Sequence, residues 1–135
     1  MYIDKDLEMS SAQAVTASAA STNVFDFGPQ ARSESNGGQL YVTVRVGTAA
    51  TAAGAATLVV AFQSSIDAAF SSPIAKLQTA VIGKAALTAD TEIFKFAIPK
   101  GMERYGRMYY TVATGPLTAG TFDAFITVDP QSAVV

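Results

Sequence analysis

The stretch LYVTVRV, from Leu40 to Val46, alternates strictly between apolar and polar side chains. A leucine and three valines occupy every second position, and Tyr41, Thr43 and Arg45 stand between them. A period of two places all the apolar side chains on one face of an extended chain, which is typical of a half-buried β-strand. The stretch therefore predicts a strand with a valine face in the core and a polar face outside.

The same period recurs along the chain. Further strands are predicted at 7–15, 24–27, 58–62, 74–82, 94–98, 98–112 and 122–128. In the last of these, Phe122, Ala124 and Ile126 are expected inside, and Asp123 and Thr127 outside. The segments are separated by turn formers, namely Gly28-Pro29, Asn36-Gly37-Gly38, Ser71-Ser72-Pro73, Pro99-Lys100-Gly101, Gly115-Pro116 and Gly120.

Two stretches have some helical character. GTAATAAGAAT, from Gly47 to Thr57, is rich in alanine but has no helical period, so it predicts a flexible loop. SSIDAAF, from Ser64 to Phe70, predicts at most one helical turn, capped by Ser65 or Asp67. With eight strands and almost no helix, we expect an all-β fold, either a closed barrel or an antiparallel β-sandwich, and favour an eight-stranded jelly-roll-like sandwich. Residues 1–135 are expected to form one domain, with 1–8 as an extended N-terminal arm.

The composition excludes several classes of function. The chain has no cysteine and no histidine, which removes thiolate nucleophiles, disulfides and the usual general base. Its formal net charge is −2, and acidic residues are interleaved with the basic ones between 76 and 107, so no nucleic-acid partner is expected. No segment is apolar enough to predict a membrane span. The acidic start MYIDKDLEMSSAQ differs from a secretory signal, which predicts that the chain stays in the cytoplasm until it meets a partner.

Candidate metal and acid–base sites are weak. Asp4, Asp6 and Glu8 would share one face of an extended segment and could hold a hard cation, but a solvated charged arm is favoured. Asp90 and Glu92 could act as an acid–base pair, but they lie in the turn-like run LTADTE, where surface carboxylates are usual. No serine lies in a nucleophile elbow or three residues before a lysine. We therefore expect no catalytic residue, no cofactor and no metal site, and no enzyme activity.

The stretch IPKGMERYGRMYYTV, from Ile98 to Val112, concentrates tyrosine and arginine in a chain otherwise rich in small residues. On a strand, Met108 and Tyr110 would face the core, whereas Arg107 and Tyr109 would face outward. Tyrosine and arginine are enriched at interface hot spots. The same residues could also form a cross-strand aromatic–cation stripe that only stabilises the sheet, and residue type does not separate the two interpretations. The predicted interface comprises Arg104, Tyr105, Arg107 and Tyr109, together with Tyr2 and Ile3 of the arm.

Three segments carry a resemblance to a known family. They are MYIDKDLEMSSAQAVTASAASTNVFDFG at the N-terminus, FQSSIDAAFSSP in the centre, and IPKGMERYGRMYYTV followed by GTFDAFITVD. In this pattern of strands and turns the chain resembles the small capsid cement (decoration) proteins of tailed bacteriophages, of the jelly-roll type found on a Bordetella podophage. It departs from the expected pattern at Gly106, where a large apolar residue would stand. A glycine inside a strand predicts a bulge or a close backbone approach.

The resemblance implies a structural function. Such a protein would bind the outer surface of an assembled phage capsid in the virion and stabilise it by bridging capsomers. Its expected partners are the major capsid protein and further copies of itself, with a dimer favoured and a trimer as the alternative. A carbohydrate-binding or receptor-binding β-sandwich of a phage tail or fibre is the alternative function, because exposed tyrosine rings also stack on sugars.

Overall fold

The computed structural model describes residues 7–26, 40–98 and 103–127. In these residues the chain forms strands joined by turns, with one short 3-10 turn at Lys84–Ala86. The strands are β1 Glu8–Ala14, β2 Ala19–Ala20, β3 Phe25–Asp26, β4 Tyr41–Val46, β5 Thr57–Ser65, β6 Ile74–Gln78, β7 Ile82–Gly83, β8 Glu92–Ala97, β9 Tyr105–Ala113 and β10 Thr121–Thr127.

The strands form two antiparallel sheets. Sheet I has the order β1-β10-β4-β8, and sheet II has the order β2-β9-β5-β6. Strand β5 pairs with β9 along its whole length. The other edge of β9 pairs with two short strands, β2 and β3, and the other edge of β5 pairs with β6 and β7. If each such pair is counted as one interrupted strand, the sheets have the orders 1-8-3-6 and 2-7-4-5. This is the strand order of a jelly roll, and the expected all-β antiparallel sandwich is confirmed.

The inner faces of the two sheets form one hydrophobic cluster. Its largest fully buried side chains are Met9, Leu58, Phe62, Leu87, Phe94, Met108, Tyr110, Leu117, Phe122 and Ile126. Tyr110 of β9 reaches across to sheet I, where its ring centroid lies 5.5 Å from that of Phe122. The buried Tyr110 hydroxyl donates to Ser10 Oγ at 3.0 Å, and Ser10 donates in turn to Gln13 Oε1 at 2.7 Å. The polar end of the tyrosine is therefore satisfied inside the sandwich.

The alternation of the sequence predicted most strands but not their breaks. The stretch 74–82 is divided into β6 and β7, and β2 was not predicted because alanine pairs carry no alternation. The alanine-rich stretch is a loop as expected over 47–56, and its last residue, Thr57, begins β5. It is fastened to the rest of the fold, since Thr51 bridges to Ala119 and Ala50 is buried.

The segment 64–70 is a non-helical turn. Ser64 and Ser65 belong to β5, and the turn is closed by the side chain of Asp67, which was predicted as a cap. Asp67 accepts hydrogen bonds from the hydroxyl of Ser65 at 2.6 Å and from the hydroxyl of Ser71 at 2.7 Å. These hydroxyl donors hold the pKa of the Asp67 carboxyl below its usual range.

The outer face of sheet I contradicts the simple alternation. Thr43 and Thr127, which were predicted to lie on the polar outer face, are buried, and so is Phe125. Phe125 of β10 lies directly opposite Thr43 of β4, so the two side chains are neighbours on the same face and shield each other. The expectation that this face is solvent-exposed along its whole length is therefore wrong at these positions.

Candidate interaction surface

Strand β9 presents its tyrosines and arginine as the alternation predicted. Gly106, Met108 and Tyr110 are buried, whereas the outward-facing Tyr105, Arg107 and Tyr109 are half-buried. Pairing between β5 and β9 continues without a register shift past Gly106, so the bulge expected in this strand is absent from that pairing. On its other side Gly106 pairs with Phe25 of β3. The predicted division of inner and outer faces is confirmed.

Arg107 is the centre of this surface. Its Nε donates to Gln63 Oε1 at 3.0 Å, across the β5–β9 pair. Its guanidinium carbon lies 4.2 Å from the ring centroid of Phe70 and 5.4 Å from that of Tyr109. Partial burial lowers the pKa of the Arg107 guanidinium, while the neighbouring Tyr109 raises it slightly. The group remains charged at neutral pH, and two aromatic rings and one amide fix its position.

Phe70 belongs to this surface and was missed by sequence reasoning. It lies in the β5–β6 connection, has φ 53° and is buried. A bulky residue in the left-handed region is strained, by about 1–3 kcal/mol, and persists only where its surroundings hold it. The Asp67 turn and the contact with Arg107 supply that support. The Ser65–Asp67–Ser71 pattern signals the turn, but nothing in the sequence shows that the turn folds Phe70 back onto the sheet.

Arg104 lies just before β9, and its guanidinium has a carboxylate as its partner instead of an amide. Its Nε and Nη2 donate to the two carboxylate oxygens of Asp26 at 2.9 and 3.0 Å, a bidentate pair that joins the start of β9 to β3. The guanidinium carbon also lies 5.0 Å from the ring centroid of Tyr105. The hydrogen bond with Asp26 raises the pKa of Arg104. The Nε and Nη2 side of this guanidinium is therefore paired with a carboxylate of the same chain.

A second group of polar side chains, Ser64, Lys76 and Glu103, lies at the same end of sheet II. The Ser64 hydroxyl donates to Glu103, and Lys76 Nζ lies 3.4 Å from Glu103 Oε2. The hydrogen bond from Ser64, followed by the influence of Lys76, lowers the pKa of the Glu103 carboxyl. Glu103 is thus an ionised, partnered carboxylate that joins β6 to the start of β9.

The structure brings together Arg104, Tyr105, Arg107 and Tyr109 on one face, and adds Gln63 and Phe70 to them. Tyr2 and Ile3, like Asp4 and Asp6, lie outside the described residues. Glu8, the last residue of the predicted arm, begins β1, and Leu7 packs partly buried against the core.

The other candidate carboxylates are placed on the surface. Asp90 and Glu92 are exposed at the start of β8. In the described ranges, no three acidic side chains come together as a metal site. No helix within those ranges has the length and hydrophobicity needed to cross a membrane.

A comparison with curated proteins finds no match for the chain. A comparison with protein-family models finds one family, Bbp16, over residues 9–126. The match runs from β1 to the penultimate residue of β10 and so includes both sheets and the whole surface around Arg107. The family name is of a kind given to Bordetella phage proteins. The chain therefore belongs to the Bbp16 family and is a phage-related protein.

Proposed function

We propose that this protein is a structural component of the virion that binds the outer surface of an assembled phage capsid and stabilises it by bridging capsomers. The observation that carries the proposal is the family match, which spans both sheets of the jelly roll and relates the chain to a phage. It agrees with the resemblance to capsid cement proteins that the strand and turn segments display. The major capsid protein is the proposed partner, and the host cytoplasm the compartment before assembly.

The geometry of sheet II supports a binding role for its outer face. Association costs free energy when mobile side chains must be ordered, by about 0.5–1.5 kcal/mol for each long side chain. Arg107 is already ordered by Gln63, Phe70 and Tyr109, and Arg104 by Asp26. A surface fixed before binding avoids much of that cost, which favours the interface interpretation over a stripe that acts only within the sheet.

Repetition supplies the affinity that a single small surface lacks. An ordinary specific contact buries roughly 800 Å² on each partner. When one protein bridges two shell subunits, its second contact becomes intramolecular and raises the effective affinity. We propose a homo-oligomer for this reason, with a dimer ahead of a trimer, and sedimentation velocity of the free protein tests it: a monomer at all concentrations would contradict it.

Co-sedimentation with expanded phage heads that lack this protein tests the function directly. We expect saturable binding at many copies per head. Tyr109→Ala should weaken it, while the matched Tyr41→Ala, which removes a half-buried tyrosine from the outer face of sheet I, should bind normally. Absence of wild-type binding would reject the proposal, and equal binding by the two variants would leave sheet II with a purely structural role.

The tail or fibre alternative has one observation in its favour, the half-buried Tyr105 and Tyr109 rings on one face. Each ring has a guanidinium over it, at 5.0 Å from Arg104 and at 5.4 Å from Arg107, which competes with a sugar for the ring face. Binding to a glycan array without binding to heads would favour this alternative.

The predicted arm can be tested in the same assay. We propose that residues 1–6, with Tyr2 and Ile3, contribute to binding. Deletion of residues 1–6 should preserve folding and lower the occupancy of heads; unchanged occupancy would exclude the arm from the interface.

A further inference from the structure

Two arginines three residues apart differ in what occupies their hydrogen-bond donors. Arg104 is closed, because Asp26 accepts from both Nε and Nη2. Arg107 donates only from Nε, to Gln63 Oε1, and its two terminal nitrogens have no partner in the part of the chain that the structure describes. Arginine carries five N–H donors in a planar fork, so four of those of Arg107 have no acceptor among the described residues.

The open fork is held rigidly and is partly desolvated. Phe70 and Tyr109 contact the guanidinium through their rings, and neither ring offers a counter-charge. No carboxylate of the described chain lies within ion-pair distance of Arg107, whereas Arg104 and Arg45 each have one. A partly buried cation without an anion has lost hydration without electrostatic compensation. Its geometry fits a planar anion with two oxygens.

Two exposed apolar side chains lie at the end of sheet II where β9 begins. Ile66 is 80% exposed and directly follows Ser65, which pairs with Tyr105. Val24 is 43% exposed and directly precedes Phe25, which pairs with Gly106, the residue before Arg107. Apolar residues exposed at the same end of the sheet as a charged side chain are typical of a protein interface rather than of a nucleic-acid surface.

We propose that Arg107 is a preformed receptor for an Asp or Glu side chain of the major capsid protein, which docks on the outer face of sheet II. This inference rests on the proposed function and names the chemistry of its partner. A polyanion is disfavoured because the chain has a net charge of −2, and because Arg107 is the one arginine of this surface without a carboxylate partner among the described residues.

A second copy of the chain is the competing source of the carboxylate. Among the described residues the exposed carboxylates are Asp26, which is paired with Arg104, and Asp90 and Glu92 at or just before the start of β8. Docking of Asp90 or Glu92 on Arg107 would join two different surfaces, which requires a reciprocal dimer, a closed ring or an open filament. Loss of self-association in Arg107→Gln would assign the carboxylate to a second copy and overturn the inference.

Binding of charge variants to expanded heads tests the inference. We expect Arg107→Gln to weaken binding about tenfold or more, and to remove most of the loss of binding that added salt causes in the wild type. Arg107→Lys keeps the charge but not the planar fork and should also bind more weakly. Arg45→Gln, on the outer face of sheet I, is the matched control and should bind nearly as the wild type does.

The chemical identity of the partner group is tested on the heads themselves. Conversion of their surface carboxylates to neutral amides, with a carbodiimide and ethanolamine, should weaken wild-type binding and have little further effect on Arg107→Gln. Such non-additivity identifies a shared contact. Losses that simply add would reject the carboxylate.

The outcomes separate the two proposals. If the wild type binds heads and both Arg107 variants bind equally well while folded, as judged by circular dichroism and Tm, this inference is overturned and the proposed function stands. If Arg107→Gln does not fold, Arg107→Lys decides. If the wild type does not bind heads, both proposals are rejected.

Discussion

The two outer faces of the sandwich use similar residues to different ends. On sheet I, Arg45 lies 3.9 Å from Asp123, whose other oxygen accepts a hydrogen bond from the backbone of Ala12 at 2.7 Å. The neighbouring Phe125 and Thr43 are buried. On sheet II, Arg107 has aromatic neighbours but no carboxylate among the described residues, and its strand remains half-exposed. The outer-face arginine of sheet I therefore has a carboxylate partner, whereas Arg107 on sheet II has none among the described residues.

This difference shows that a binding surface is defined by unmet interactions rather than by residue types. Tyrosine and arginine occur on both faces, as Tyr41 and Arg45 on sheet I and as Tyr109 and Arg107 on sheet II. Only on sheet II does a positioned cation lack an anion within the described chain. If this difference is real, substitutions of buried residues on the outer face of sheet I should destabilise the fold more than substitutions of exposed ones.

The largest effect is expected at Phe125 on sheet I. This ring is 1% exposed, so Phe125→Ala should lower the free energy of unfolding by about 3–5 kcal/mol, as removal of a core phenylalanine does. Phe96 is 44% exposed on β8 and serves as the control, with a clearly smaller loss. Denaturant unfolding of both variants measures the difference. If Phe125→Ala costs no more than Phe96→Ala, the outer face of sheet I is open and the comparison fails.

The next effect concerns the inner side of β9, where Tyr110 is the buried counterpart of the outward Tyr109. Burial raises the pKa of Tyr110 to about 12, despite the hydrogen bond to Ser10, from a usual value of 10.0. The unfolded chain therefore loses this proton at lower pH than the folded chain does, and stability falls as pH rises from 10 towards 12. The loss amounts to roughly 2–3 kcal/mol.

Tyr110→Phe removes this titration. The variant should be less stable than the wild type at neutral pH, by about 1 kcal/mol for the lost hydrogen bond, and the gap should close or reverse at high pH. Chemical denaturation across the alkaline range provides the measurement. A constant gap between the two proteins would show that Tyr110 is not protected from ionisation.

A smaller effect of opposite sign is expected at Thr43. Its Oγ1 is buried without a hydrogen-bond partner in the described ranges, which costs free energy in the folded state. Thr43→Val keeps the shape, removes the hydroxyl and should raise stability by about 1 kcal/mol. Ser10→Ala is the opposite case, because it removes the acceptor of Tyr110, and should lower Tm. A lower Tm for Thr43→Val would mean that the hydroxyl is satisfied after all.

Sequence alternation predicted the strands because each half-buried strand must place its apolar side chains on one face. It did not predict the order of the strands in the sheets, since β1 pairs with β10 and β4 pairs with both β10 and β8 across long stretches of sequence. Phe125 and Ile126 are adjacent and point to opposite faces of the sheet, yet both are buried. Alternation cannot predict the burial of two consecutive residues.

The surface was predicted only in part for the same reason. The outward direction of Arg107 and Tyr109 is a local property of β9, and the sequence contains it. The positions of Phe70, Gln63 and Asp26 depend on which strands and turns meet, so the difference between the open Arg107 and the closed Arg104 follows only from the tertiary structure.

The smallest effects on folding are expected from the closed arginines. Arg45 and Arg104 are both substantially exposed, so water screens their ion pairs with Asp123 and Asp26. Arg45→Gln and Arg104→Gln should each change Tm by about 1 °C or less, with the larger change at Arg104 because its pair is bidentate, and added salt should reduce both changes. Thermal unfolding at low and high salt measures them. A large, salt-independent loss at Arg104 would mean that its pair with Asp26 holds β3 on the sheet.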